Sequence, residues 1–274
     1  MMVIMNTSLG ERIMSSTPAV LITGASSGIG ATYADRFAAR GHDLVLVARS
    51  AERLETVADR LRKEYGVAVE TLQADLAEAG ALGRVADRLA GDDRIGILVN
   101  NAGIAMPGAF SEQSPDDLAQ LVAINVTAVT RLAQAAAHRF AKAGKGAIIN
   151  ISSVVGLVPE FRQAAYAASK AYVTTLSQAM AFELSPLGVR VQCVLPAGTS
   201  TFLWERSGLD SSKLPALMDV NVLVDAALVG FDRRETITIP VLPDAGQWDA
   251  YQAARQAMIP NFGGTAAAAR YTAA

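Results

Sequence analysis

Seven short apolar runs alternating with stretches of helical periodicity predict an α/β protein built on a doubly wound parallel sheet of about seven strands. Two further observations support that class. The first apolar run opens into a glycine-rich turn before a helix, and no repeat, linker or shift in composition divides the chain. The expectation is a leader over residues 1–17 without fixed structure, followed by one domain over 18–274.

Composition narrows the function. Of the 274 residues 51% are hydrophobic and 18% charged, which supplies a large core and excludes wholesale disorder. A formal net charge of −2, with acids and bases interspersed, gives no basic face for nucleic acid or an anionic membrane. The single cysteine, Cys193, sits in the apolar run Val191-Gln192-Cys193-Val194-Leu195 and reads as a small core residue. With no disulfide framework, no secretory leader and no apolar run near the ~20 residues of a membrane helix, a soluble cytoplasmic protein is expected. His42 and His138 belong to no cluster with ligand spacing, so no metal site is expected.

Taken in order, Ala19-Val20-Leu21-Ile22 is the first buried strand. It leads into Thr23-Gly24-Ala25-Ser26-Ser27-Gly28-Ile29-Gly30 and a helix ending near Arg40-Gly41. Strand, glycine turn and helix in this order suit a pyrophosphate, which the backbone can approach closely and whose charge then lies at a helix N-terminus. The spacing is G-x-x-x-G-x-G, and dinucleotide binding is the reading adopted over plain packing. The second strand, Asp43 to Val47, ends in Ala48-Arg49-Ser50 with no acid to hold a ribose. Arg49 suits a 2′-phosphate instead, so NADP(H) is favoured over NAD(H).

A third strand, Val67 to Leu72, precedes Asp75-Leu76, where the acid either accepts from an adenine amine or caps the next helix. The fourth, Ile95 to Val99, leads into Asn100-Asn101-Ala102-Gly103, whose amides brace a loop and whose small residues leave room for a flat ring. Ser114-Pro115-Asp116-Asp117 starts a helix that the pattern carries to about Lys142. Asn125 lies among its apolar positions, where a polar amide needs a buried partner or a ligand.

The fifth strand, Ala147 to Ile151, ends in Ser152-Ser153, at the edge where open α/β sheets place ligands. A helix from near Gln163 then carries Tyr166 and Lys170 on one face, one turn apart. Hydroxyl, phenol and ammonium can thus converge on one oxygen and move a proton, although the same pair also occurs on ordinary helix surfaces. The sixth strand, Val189 to Leu195, runs into Pro196-Ala197-Gly198-Thr199-Ser200-Thr201. Phe202 to Pro215 reads as a lid or a surface helix, Thr236 to Ile239 as a last strand, and the tail beyond Pro243 as featureless.

Together Thr23-Gly24-x-x-x-Gly28-x-Gly30, Asp75, Asn100-Asn101-Ala102-Gly103, Asn125, Ser153, Tyr166-x-x-x-Lys170, Pro196 and Thr201 resemble the short-chain dehydrogenase/reductase family, over roughly Ala19 to Ile239. The resemblance implies a Rossmann-like sheet and hydride transfer between a nicotinamide and a carbonyl or carbinol carbon. Catalytic roles then fall to Asn125, Ser153, Tyr166 and Lys170. Tyr166 is the implied general acid or base, Ser153 orients the substrate oxygen, and Asn125 holds a water. Lys170 binds the nicotinamide ribose and lowers the tyrosine pKa; a cation ~5 Å away at an effective dielectric of ~20 favours the phenolate by about 3 kcal/mol, or roughly two pKa units. The implied cofactor contacts are Gly24, Ser26, Ser27, Gly28, Ile29, Gly30, Arg49, Asp75, Leu76, Asn101, Ala102, Gly103, Tyr166, Lys170, Pro196, Thr199 and Thr201.

The expected partner is a small, apolar carbonyl or alcohol, with Met106, Val155, Leu157, Phe161, Phe202 and Trp204 as wall candidates or ordinary core. A homo-oligomer, dimer or tetramer, is expected through the helices bearing Asn125 and Tyr166. Ala197 replaces a frequent glycine after Pro196, and the family's frequent Gly-Gly after the last strand is missing. The rival readings are a non-catalytic dinucleotide-binding module and a nucleotide-sugar epimerase, the latter disfavoured because no sizeable substrate domain follows Leu195.

Overall fold

A computed structural model describes residues 17–106, 108–200 and 217–272. Residues 1–16 of the leader, Thr201, and the Phe202 to Pro215 segment with Phe202 and Trp204 therefore lie outside the described residues. Seven parallel strands form one sheet in the order β3-β2-β1-β4-β5-β6-β7. They are β1 Ala19–Thr23, β2 Leu44–Ala48, β3 Val69–Gln73, β4 Ile95–Asn100, β5 Gly146–Ile151, β6 Val189–Val194 and β7 Ile237–Thr238. Each of the first six runs read from the sequence appears within two residues of its expected ends, and the seventh is shorter.

Alternation along the strands explains the layering. In β1, Val20 and Ile22 enter one core with helices α1 (Gly28–Ala39), α2 (Ala51–Tyr65) and α7 (Val220–Asp232). Ala19 and Leu21 enter the other, with α3 (Ala79–Gly91), α5 (Val129–Ala143) and α6 (Ala164–Leu184). Strand order reverses direction between β1 and β4, so their carboxyl ends frame a crevice of the kind that binds ligands in open sheets.

One polar row crosses the sheet at that end. Asn100 of β4 lies opposite Asn150 of β5, which lies opposite Cys193 of β6. Asn100 Nδ2 donates to Asn150 Oδ1 at 3.0 Å, and Asn150 Nδ2 donates to Ser177 Oγ at 2.9 Å. All four residues are buried.

One segment differs from expectation. The helix read from Pro115 to about Lys142 is divided into α4 (Pro115–Val122), a wide π turn over Ala123–Ala128, and α5. The widened turn contains Asn125, whose amide bonds outside its own helix. In the tail, contacts divide the chain into one unit through Pro240 and another from Val241. In the second unit Ala245–Gln256 forms α8, with Asp244 Oδ1 accepting Gly246 N–H at 2.8 Å as its cap.

Candidate active site

At the crevice between β1 and β4 lies a cavity of about 1040 Å³, large enough for a dinucleotide and a small substrate together. Gly24, Ser26, Ser27, Gly28 and Ile29 line one end. Gly24 has a φ of +67°, and a Cβ on Gly30 would sit 2.4 Å from Gly24 O and 2.5 Å from Asn101 Nδ2. Gly30 does not line the cavity; it lets α1 close onto the turn. Thr23 Oγ1 accepts the N–H groups of Asn101 and Ala102, each at 3.0 Å, while Asn101 Nδ2 donates to Thr23 O at 2.9 Å. Those bonds weld the glycine turn to the loop after β4.

The other cofactor candidates follow the same wall. Arg49, Asp75, Leu76, Asn101, Ala102, Gly103, Pro196 and Thr199 all line the cavity. Arg49 is exposed at the rim, beside Ser50, Glu52 and Arg53, which the sequence reading did not single out. Asp75 Oδ1 accepts Ala77 N–H at 3.0 Å, and α3 begins with Glu78 as its N-cap, so Asp75 does not cap that helix.

Ser153, Tyr166 and Lys170 share the cavity with these residues. Ser153 begins a 3-10 turn over Val154–Leu157; its Oγ accepts Val155 N–H at 3.2 Å and donates to Pro196 O at 3.3 Å. Lys170 Nζ is buried, donates to Ile151 O at 3.0 Å and lies 5.6 Å from the centre of the Tyr166 ring. Asn125 does not line the cavity. Its Oδ1 accepts Ile104 N–H at 2.9 Å, and its Nδ2 donates to Ile104 O at 2.8 Å and Ser169 Oγ at 3.1 Å. Ser169 Oγ donates in turn to Tyr166 O at 2.7 Å. The amide thus ties the loop after β4 to the helix that carries Tyr166.

Burial dominates the electrostatics of this end of the cavity. Burial pushes the Tyr166 phenol up to about 12, opposed by a side-chain hydrogen bond with Ser153. Burial also pulls the Lys170 ammonium down to about 8. Both groups lie in the same water-poor end of the cavity, where burial disfavours phenolate and ammonium alike.

The wall candidates divide. Met106 and Val155 line the cavity. Leu157 packs on the small core of Val129, Val173, Cys193 and Leu195. Phe161 is 55% exposed and is absent from the wall. Polar groups missed in the sequence reach the same space: Gln163, the residue before α6, and Asp117 and Gln120 of α4. Among the described residues no cluster of acids, histidines and cysteine could hold a metal ion, and no helix is long and apolar enough to cross a membrane.

Comparison with known proteins agrees with this geometry. The profile of the short chain dehydrogenase family matches residues 18–211. A short-chain dehydrogenase from Sphingobium yanoikuyae, solved in complex with NADPH, is 57% identical with a TM-score of 0.92, covering 93% of this chain and 100% of that one. The bulky-bulky ketone specific alcohol dehydrogenase of Comamonas testosteroni is 50% identical with a TM-score of 0.88, over 93% of this chain and 99% of that one. Among curated relatives, a 2,5-dichloro-2,5-cyclohexadiene-1,4-diol dehydrogenase of Sphingobium indicum is 34% identical over 237 residues, 83% of this chain and 94% of that protein. Human 17-beta-hydroxysteroid dehydrogenase type 3 is 36% identical over 184 residues, 66% of this chain and 59% of the relative's length.

Proposed function

The chain belongs to the short-chain dehydrogenase family, and on that premise we propose that it interconverts a ketone and a secondary alcohol with NADP(H), using Ser153, Tyr166 and Lys170. The observation that carries this reading is the presence of those three side chains on one cavity with the glycine turn and Arg49. A non-catalytic module has no use for them there.

The glycine turn fits a pyrophosphate because Gly24 and Gly30 remove side-chain bulk where backbone must come close. Arg49 at the rim supplies a fork for a 2′-phosphate, and the NADPH complex of the Sphingobium yanoikuyae relative supports that preference. When bound, the nicotinamide supplies or accepts the hydride at the carbonyl carbon. This chain's residues handle the proton. In reduction Tyr166 gives its phenolic proton to the carbonyl oxygen while Ser153 holds that oxygen by a hydrogen bond. In oxidation the proton returns to Tyr166 from the alcohol. Lys170 would hold the cofactor's ribose, and Asn125 with Ser169 keeps the Tyr166 helix in register with the loop over the cavity.

A phenol held near 12 is in the correct state for reduction at neutral pH. Alcohol oxidation therefore gains with rising pH. Met106 and Val155 support an apolar substrate, and the Comamonas testosteroni relative's ketones favour a bulky one. A cytoplasmic homo-oligomer through α5 and α6 completes the reading, supported by the exposed Tyr172, Phe182 and Leu187 beside that face. Tyr166→Phe should bind NADPH within about twofold of wild type while turnover falls at least about a hundredfold, the lower range of general acid catalysis; full turnover of an aryl alkyl ketone by that variant would end the proposal.

A further inference from the structure

Between β5 and α6 the chain closes onto one peptide bond, the one joining Lys170 to Ala171. Ser152, buried directly after β5, donates its hydroxyl proton to Lys170 O at 2.7 Å. Thr174 Oγ1, one turn further along α6, lies 3.0 Å from the same carbonyl oxygen and 2.8 Å from Ser152 Oγ. Four residues after Ser152, Gly156 meets that peptide again. A Cβ built on Gly156 would lie 2.7 Å from Ala171 N and 2.8 Å from Lys170 C, against an ordinary contact of 3.4 Å or more. Both neighbours are helix backbone, so neither can rotate out of the way. The φ of Gly156 is not positive. Its conformation would therefore suit alanine, and space alone requires glycine.

Ser153 lies between these two attachments. Gly156 N–H donates to Ser153 O at 3.1 Å, and Val154 N–H donates to Pro196 O, just beyond β6, at 3.0 Å. The turn that carries Ser153 is thus tied to itself, to the end of β6 and to the helix that carries Tyr166 and Lys170. We propose that Ser152 and Gly156 form a clamp on the Lys170–Ala171 peptide that sets the separation of Ser153 from Tyr166. Both are then positioning residues, a role that rests on the catalytic reading given above. A methyl group on Gly156 would drive turn and helix apart by about 0.7 Å, the difference between 2.7 Å and 3.4 Å. A misplacement of about 1 Å can slow a reaction about a hundredfold. The phosphate end of the cavity, on the turn between β1 and α1, belongs to other elements and is left in place.

In the full chain, Gly156→Ala should lower kcat for ketone reduction about 10- to 100-fold while the Kd for NADPH stays within about threefold. Crystal structures of wild type and variant should show the distance from Ser153 Oγ to the Tyr166 phenol oxygen lengthened by about 0.7 Å. Ser152→Ala tests the other half of the clamp, with an expected fall in kcat of about 3- to 10-fold for one lost hydrogen bond. If Gly156→Ala does not fold, the distance is read in Ser152→Ala, where release of Lys170 O should lengthen it too. Gly96→Ala is the packing control. A Cβ there would lie 2.5 Å from Pro18 Cβ, four residues before the cavity end of β4, so it should lower the urea midpoint and leave kcat within about twofold. An unchanged distance, an undiminished kcat in either clamp variant, or an equal loss of kcat in Gly96→Ala would overturn the proposal. Should wild type reduce no ketone, the catalytic reading fails and the distance still decides the clamp.

Discussion

Gly30→Ala is the most direct test of how the cofactor end is built. The substitution adds one methyl group in the first turn of α1, where helical backbone suits alanine better than glycine by about 1 kcal/mol. Space decides otherwise. The new carbon would lie 2.4 Å from Gly24 O and 2.5 Å from Asn101 Nδ2, against an ordinary contact of 3.4 Å or more, so α1 must recoil by about 1 Å. Neither neighbour can swing away: one is backbone, and the other holds Thr23 O. Overpacking of this kind costs about 1–3 kcal/mol, and loosening the Asn101 bond adds about 1 kcal/mol. A net loss of about 2 kcal/mol in stability is expected in urea unfolding. NADPH affinity should fall about 10- to 100-fold in a fluorescence titration, because the recoil carries the helix N–H groups away from the phosphate. Gly80→Ala is the control: a Cβ there meets nothing within 4 Å, so the same change in a helix should be neutral or stabilising by up to about 1 kcal/mol. If Gly30→Ala matched Gly80→Ala in both assays, the close-approach argument would be wrong.

Lys170 gives a prediction in pH. Its ammonium titrates near 8 in the folded protein against 10.5 unfolded, so between those values the unfolded chain binds the extra proton and stability rises with pH. Between pH 8 and 9.5 the rise is about 2 kcal/mol. Lys170→Met should abolish it, and parallel wild-type and mutant curves would dismiss the buried ammonium. Above pH 10 the raised Tyr166 phenol acts in the opposite sense, since the folded state then keeps a proton that the unfolded chain releases. Arg49→Asp should shift the ratio of kcat/KM for NADPH to that for NADH at least about tenfold toward NADH, by replacing a phosphate fork with a ribose acceptor; an unmoved ratio would take Arg49 out of that role. For oxidation of a secondary alcohol, kcat/KM should climb steadily from pH 7 to 10, and a flat profile would count against Tyr166 as the base.

Much of the architecture was legible because its signals are local. Val20 and Ile22 alternate with Ala19 and Leu21, and Tyr166 and Lys170 are separated by one helical turn wherever the helix lies. The π turn at Asn125 was not legible, since it depends on a bond to Ile104, 21 residues earlier, that periodicity cannot register. Helix α7 passed unread for a different reason: Val220 to Val229 is apolar throughout much of its length, so it lacks the polar face that distinguishes helix from strand. Leu157 and Val155 look alike in sequence, yet the 3-10 turn sends the first to the core and leaves the second at the cavity. Burial of Lys170 and Tyr166, which lowers the ammonium and raises the phenol, is a tertiary property.

The amides of Asn100 and Asn150 act as an alignment key between neighbouring strands. Sliding β5 by a single residue would turn Asn150 toward the opposite apolar layer and strand two amides without partners, at a cost of several kcal/mol. An all-leucine sheet would have no comparable objection to slipping. Because Ser153 leaves β5 three residues beyond that key, and the loop to Gly103 leaves β4 directly after it, the relative height of the Ser153 hydroxyl and the Gly103 loop is set from inside the sheet before any ligand arrives.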